Sequence, residues 1–273
     1  MRYLLQRSIG IATTLAVSAA LTLVAVLMPA APAHAAAGPG SGWSGSWKYY
    51  TSRAIEYSGT LPGVRLSGIL TDSSGSRRSF GNIQDTADDG RCARAWVFVA
   101  GQGIISETTT CGNGTWRDFT TSAFSTEVFL FVQLLLPNGG GAEKNFIIHI
   151  PSSTADPDLR TVGTGASWSY YTDTAFQYQV VRPGVKVTGH GENLSDGLRS
   201  SLNVVQKTVT TDGCALGRVS ATTGNTILAA ACDSTTASFN SLRSSLGGQL
   251  TVEGCFYATS GPRCTPLYIP EPV

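Results

Sequence analysis

The chain has 273 residues, of which 42% are apolar, 14% charged and 9% aromatic, and its formal net charge is +1. So few charges exclude a disordered polyelectrolyte, and so even a balance excludes a generally basic protein of nucleic acids or membrane surfaces. With 15 Arg but only 4 Lys, the composition also lacks the lysine-rich helical faces of a bundle or coiled coil, so sheets are expected.

In chain order, Arg2 and Arg7 precede a dense apolar run from Leu15 to Met28, which Pro29 and Pro32 close ahead of Ala33, His34 and Ala35. This is the charged, apolar, small-x-small order of a secretory signal peptide, and cleavage is predicted after Ala35. Residues 36–42 read as a flexible N-terminus. Removing Arg2 and Arg7 from the 19 basic side chains leaves 17 against 18 acidic ones. The exported chain is therefore not steered toward polyanions, and no membrane contact is expected after cleavage.

Beyond the export segment the chain repeats itself at an offset of 121 residues. SWKYYT (Ser46 to Thr51) falls on SWSYYT (Ser167 to Thr172), and Pro62, Gly63, Val64 and Gly68 fall on Pro183, Gly184, Val185 and Gly189. Further on, Arg78 and Ser79 fall on Arg199 and Ser200, and Cys111 falls on Cys232. Two copies of one domain are predicted, 43–151 and 166–270, joined by a Ser-, Thr-, Asp- and Gly-containing linker over 152–165. Each copy is of ordinary single-domain size.

Within each copy the apolar residues alternate, as in Val64 and Leu66 around Arg65, or Val185 and Val187 around Lys186. That is strand periodicity. Val128 to Leu136 is apolar on both faces, the pattern of a strand covered by layers on either side. Turn signals such as Pro62-Gly63 and Gly261-Pro262 separate the runs. The predicted fold class is all-β: two tandem antiparallel β-sandwich or small β-barrel domains, each with a hairpin disulfide.

Hairpin arithmetic pairs the six cysteines. A two-residue turn at Gly101 and Gln102 sets Cys92 opposite Cys111, and a three-residue loop Thr222 to Gly224 sets Cys214 opposite Cys232. Cys255 and Cys264 close a third hairpin centred between Thr259 and Ser260. Each of the first two bridges closes a loop of about 20 residues, worth ~3 kcal/mol in the chain-entropy model. An oxidising compartment follows. Zinc is not expected, because there is no Cys-x-x-Cys pair, and no cofactor is implied.

No catalytic constellation repeats. Past the signal peptide the histidines are His149 and His190; alternation puts His190 on the solvent face, and His149 ends an apolar run. There is no Gly-x-Ser-x-Gly elbow. Asp85, Asp88 and Asp89 precede Gly90 without the spacing of a calcium loop and read as a solvated turn. The aromatic repeat carries more. Trp47 and Tyr49 share one strand face, with Trp168 and Tyr170 as their counterparts, so a buried set leaves Tyr50 and Tyr171 pointing out. Outward rings on exported β-domains can stack on the apolar faces of sugars.

The stretch DDGRCARAWVFV (Asp88 to Val99) followed by CGNG (Cys111 to Gly114) resembles short exported β-domain proteins of actinobacteria. The resemblance covers well under half the chain, implies an exported two-module protein and transfers no functional residue. The functional expectation is a non-enzymatic, extracellular protein of tandem modules that binds a cell-surface or extracellular polysaccharide or protein through Tyr50 and Tyr171. Two alternatives are a protease inhibitor presenting the Cys255–Cys264 hairpin, and a hydrolase centred on His149 with a diverged second copy.

Overall fold

The computed structural model describes residues 42–73, 76–137, 141–154, 156–194, 198–221, 226–232, 236–239, 244–245, 250–258 and 261–270. The expected signal peptide lies outside them. In the first copy the alternating runs form β1 (Ser44–Thr51), β2 (Ala54–Leu61), β3 (Val64–Ser73), β4 (Ser76–Asp85), β5 (Cys92–Val99), β6 (Gly103–Cys111), β7 (Trp116–Thr120), β8 (Val128–Leu135) and β9 (Ala142–Ile150). The second copy supplies β10 (Gly165–Tyr170), β11 (Ala175–Arg182), β12 (Val185–Asn193), β13 (Leu198–Lys207), β14 (Cys214–Ala221), β15 (Thr226–Ala231), β16 (Thr236–Phe239), β17 (Ser244–Ser245), β18 (Leu250–Ala258) and β19 (Gly261–Ile269).

Both copies are wired alike. The first has β1-β2-β3-β4-β7 in one sheet and β6-β5-β8-β9 in the other; the second has β10-β11-β12-β13-β16 and β15-β14-β18-β19. β1 and β10 then pair antiparallel, so the two five-stranded sheets, with β17 on β13, become one sheet of eleven strands. Each four-stranded sheet packs on its own half of the large one: Gly59 of β2 faces Phe146 and Ile148 of β9, and Gly254 of β18 faces Val180, Val185 and Val187. Among the described residues the architecture is an open sandwich of three antiparallel sheets with no closed barrel.

The seam has a pseudo-twofold axis that can be read from its register. Ser46 pairs with Ser167, its own counterpart at the 121-residue offset, while Gly45 pairs with Trp168 and Trp47 with Ala166. Gly45 is small for a reason, because a Cβ there would sit 2.9 Å from the Trp168 ring. On the small-sheet side the axis recurs. His149 and Tyr268, which each precede the Ile-Pro pair that ends their copy, meet with ring centroids 4.9 Å apart. Phe146 crosses between copies to make an edge contact with Trp168 at 5.4 Å. The buried residues accordingly form one hydrophobic cluster running through both copies.

The segment read as a linker is folded onto the molecule. Asp156 caps a 3₁₀ turn over Pro157–Arg160, Leu159 is buried, and Gly165 already belongs to β10. Gly163 donates its N–H to the Tyr49 carbonyl, and the Tyr49 N–H donates to Thr164.

The three disulfides are Cys92–Cys111, Cys214–Cys232 and Cys255–Cys264, as the hairpin arithmetic requires. The route to the first differs from expectation. The Gly101 turn holds three residues, since Val99 pairs with Gly103, and a bulge before Ser106 restores the register that brings Cys92 opposite Cys111. Gly101 and Gly103 both take positive φ, as a three-residue loop followed by a bulge demands. The predicted 222–224 loop and the tip of the third hairpin, 259–260, lie outside the described residues.

The repeat alignment shifts by one residue after β3. By pairing, the counterpart of Arg199 is Arg77 rather than Arg78, and that of Ser201 is Ser79. An extra residue between β12 and β13 causes the shift. β8 is covered unevenly: Val128, Leu130, Val132 and Leu134 are buried on one face, while on the other Gln133 and Leu135 are buried but Phe129 and Phe131 are only half-buried.

Candidate binding face

Alternation sends Trp47, Tyr49, Trp168 and Tyr170 inward to full burial. The residues between them point out from the large sheet. On this outer face the seam is a field of hydroxyls: Ser44 bonds Thr60 at 2.8 Å, Ser46 bonds Ser58 at 2.9 Å, and Gln177 donates Nε2 to the Ser169 hydroxyl at 3.2 Å. These cross-strand pairs hold small polar groups in fixed rows.

A depression of about 420 Å³ lies over the seam, lined by Ser46, Ser167, Ser169, Gln177, Gln179 and Thr188 among others. The backbone of Gly45 and Gly189 contributes to its lining. Gly189 has no room for a side chain, since a Cβ there would meet the Tyr178 ring at 2.3 Å. The depression shares Ser46, Ser167 and Gln179 with a neighbour of about 360 Å³ that reaches Lys48 and Lys186. At its other side it shares His190 with one of about 480 Å³, walled by Tyr171, Glu192 and Leu202. Together they make a shallow trough across the seam.

Tyr50 and Tyr171 stand on this outer face, 44% and 54% exposed. Each lies four residues from the Ser46–Ser167 pair, in opposite directions, which separates them by about 26 Å at ~3.3 Å per residue. The third and fourth strands of each copy also expose side chains on this face. In the first copy Ile69 pairs with Phe80, in one row with Lys48; in the second His190 pairs with Leu202, and both line a depression with Tyr171. Ile69 and Phe80 line their own depression of about 480 Å³. His190 is solvent-facing as expected from parity, yet it also lines two of the depressions. The sequence reading did not single out the Ser and Gln rows, whose trace is the alternating serines of Ser44 to Trp47 and of Ser167 to Ser169.

His149 is arranged differently. Its ring stacks on Phe129 at 4.5 Å and meets Tyr268, and Nε2 lies 2.8 Å from Glu127 Oε2. The ring is thus held between a neighbour in its own small sheet and one in the other. Burial lowers its pKa from the usual histidine value, against the opposing pull of Glu127 and with help from the positive charge of Arg77. The unfolded chain takes up this proton near pH 6.5, the folded chain only at lower pH, so stability falls as the pH drops through that window. Urea midpoints measured from about pH 7.5 to about pH 5 should therefore decline more steeply for the native protein than for His149→Gln.

The other sequence candidates are spread out. Asp85 is buried, accepting from Ala87 N–H and Gly112 N–H, whereas Asp89 pairs with Arg91. On the outside of the first small sheet, Trp96 stacks on Phe131 at 5.2 Å and has the Arg94 guanidinium 4.7 Å from its centre. These rings engage one another. Among the described residues no helix is long and apolar enough to cross a membrane.

No protein-family model and no curated protein matches the sequence. Similar solved structures include one of the receptor tyrosine kinase Torso in neurohormone perception, with 13% identity, 73% of this chain and 70% of that chain covered, and a TM-score of 0.24. Others are of CsxA. The Amycolatopsis orientalis exo-chitosanase CsxA in complex with PNP-β-D-glucosamine shows 11% identity over 74% of this chain, at a TM-score of 0.24. The exo-β-D-glucosaminidase CsxA with glucosamine-configured inhibitors shows 11% over 74%, at 0.22. The chain spans a quarter of the length of the CsxA chains. At these scores the likeness carries no functional argument.

Proposed function

We propose that this is a secreted, non-enzymatic protein whose large-sheet face binds an extracellular polysaccharide. One observation carries the reading: a trough lined largely by Ser, Thr and Gln side chains crosses the seam of a single sheet and reaches Tyr171, while Tyr50, its counterpart in the first copy, is exposed on the same sheet. Hydroxyls and amides can exchange hydrogen bonds with sugar hydroxyls, and the rings offer stacking surfaces to the apolar sugar faces. Three disulfides suit an oxidising extracellular medium. Retention on insoluble chitin, cellulose and peptidoglycan tests the proposal. The native protein should be held by at least one, and Tyr50→Ala or Tyr171→Ala should each weaken retention about fivefold, the equivalent of ~1 kcal/mol per stacked ring. Passage of the native protein through all three would reject it.

A further inference from the structure

Resting on that reading, we infer that the face takes one linear, uncharged glycan chain long enough to touch both tyrosines, and that shorter fragments occupy two separate half-sites. The pseudo-twofold axis supplies the first reason. It places Tyr50 at one end of the outer face, in the copy that also exposes Ile69 and Phe80, and Tyr171 with His190 and Leu202 at the other. Each copy therefore presents an exposed ring together with exposed apolar side chains and a depression of about 480 Å³, which in the second copy adjoins the ring itself. The middle is of another character. No Lys, Arg, Asp or Glu lines the central depression, where Ser44, Ser46, Ser167, Ser169, Gln177 and Thr188 supply neutral donors and acceptors. A polyanion would find no cluster of positive charge there, and a purely apolar ligand would leave those polar groups unmatched.

A chain laid over the seam meets ring, polar field and ring from either direction, with Lys48 between Ser46 and Tyr50 where Ser169 stands between Ser167 and Tyr171. A fragment shorter than the separation of about 26 Å reaches one ring only. Each copy then binds its own fragment, two per protein. Once the ligand bridges both ends, the second contact becomes intramolecular, and affinity rises by the effective-concentration factor without any new kind of contact.

Calorimetric titration with cello-oligosaccharides and chito-oligosaccharides, from disaccharide to decasaccharide, reads this out directly. The expected result in at least one series is two weak sites for short members, changing to one site for long members with an affinity step of about 10²-fold or more. Tyr171→Ala should leave a single short-fragment site and abolish the step. Binding of one ligand per protein at every length, or a smooth gain with length, would overturn the inference while leaving polysaccharide binding intact. No binding by any member of either series, alongside retention on the insoluble polymers, would also overturn it. Failure on the polymers as well would remove the glycan reading itself.

Discussion

Replacing Asp72 by Ala should destabilise the fold by about 3–5 kcal/mol, the cost of leaving a buried guanidinium without its counter-charge. Asp72 is fully buried. Its Oδ2 accepts the Tyr49 hydroxyl at 2.5 Å and lies 3.5 Å from Arg77 Nε, while Oδ1 accepts from Arg160 at 3.2 Å. Arg77 is equally enclosed, with Nη1 donating to the Thr126 carbonyl. Burial lowers the pKa of Arg77, and the nearby Asp72 carboxylate opposes that shift. The second copy supplies a natural comparison. There Asn193 stands where the first copy has Asp72, and Arg199 donates Nε to its Oδ1 at 3.0 Å, donates Nη2 to the Tyr170 hydroxyl at 2.8 Å, and lies 4.9 Å over the Phe176 ring. Asp72→Asn should therefore lose only about 1.5–3 kcal/mol, the range of a hydrogen bond to a charged group. Urea midpoints at unchanged slope give both values. Equal losses for Ala and Asn would show that a neutral hydrogen-bonding side chain recovers nothing and that the whole effect lies in the carboxylate charge.

Gly165→Val should open the seam. Gly165 pairs with Lys48, and a Cβ at this position would lie 2.2 Å from the Trp47 carbonyl oxygen and 2.8 Å from Lys48 Cα. Both obstacles are backbone, so no rotamer change relieves the clash. The cost should reach or exceed the top of the usual overpacking range of about 1–3 kcal/mol. It should also have a distinctive form. Scanning calorimetry should convert one cooperative transition into two as the halves lose their shared sheet. Ser167→Ala, in the same seam but facing solvent, should change stability by less than about 0.5 kcal/mol. A single shifted transition in Gly165→Val would mean that the small sheets alone hold the copies together.

The strands were legible because alternation is a local signal: Val64 and Leu66 are buried around an exposed Arg65, as their order implies. Cysteine pairing was legible for the same reason, since ladder register propagates from the turn. It survived the bulge after Val97 because that bulge compensates for the extra residue in the loop. Tyr50 and Tyr171 were readable as outward rings because their parity is opposite to that of the inward Trp47 and Trp168. The pairing of β1 with β10 was not, because an edge-to-edge register between distant strands leaves no mark on either strand alone. Nor was the role of Arg77, since one additional residue in the second copy moved the alignment onto its exposed neighbour. β8 is covered less than its sequence implies because its outer rings Phe129 and Phe131 lie against Trp96 and Phe98 of the neighbouring β5.

The union of β1 with β10 also settles what becomes of two unsatisfied borders. A single copy would leave the first strand's outward N–H and C=O groups bare, the kind of border that recruits foreign strands and seeds aggregates. Tandem duplication closes both at once, each copy serving as the other's permanent cap.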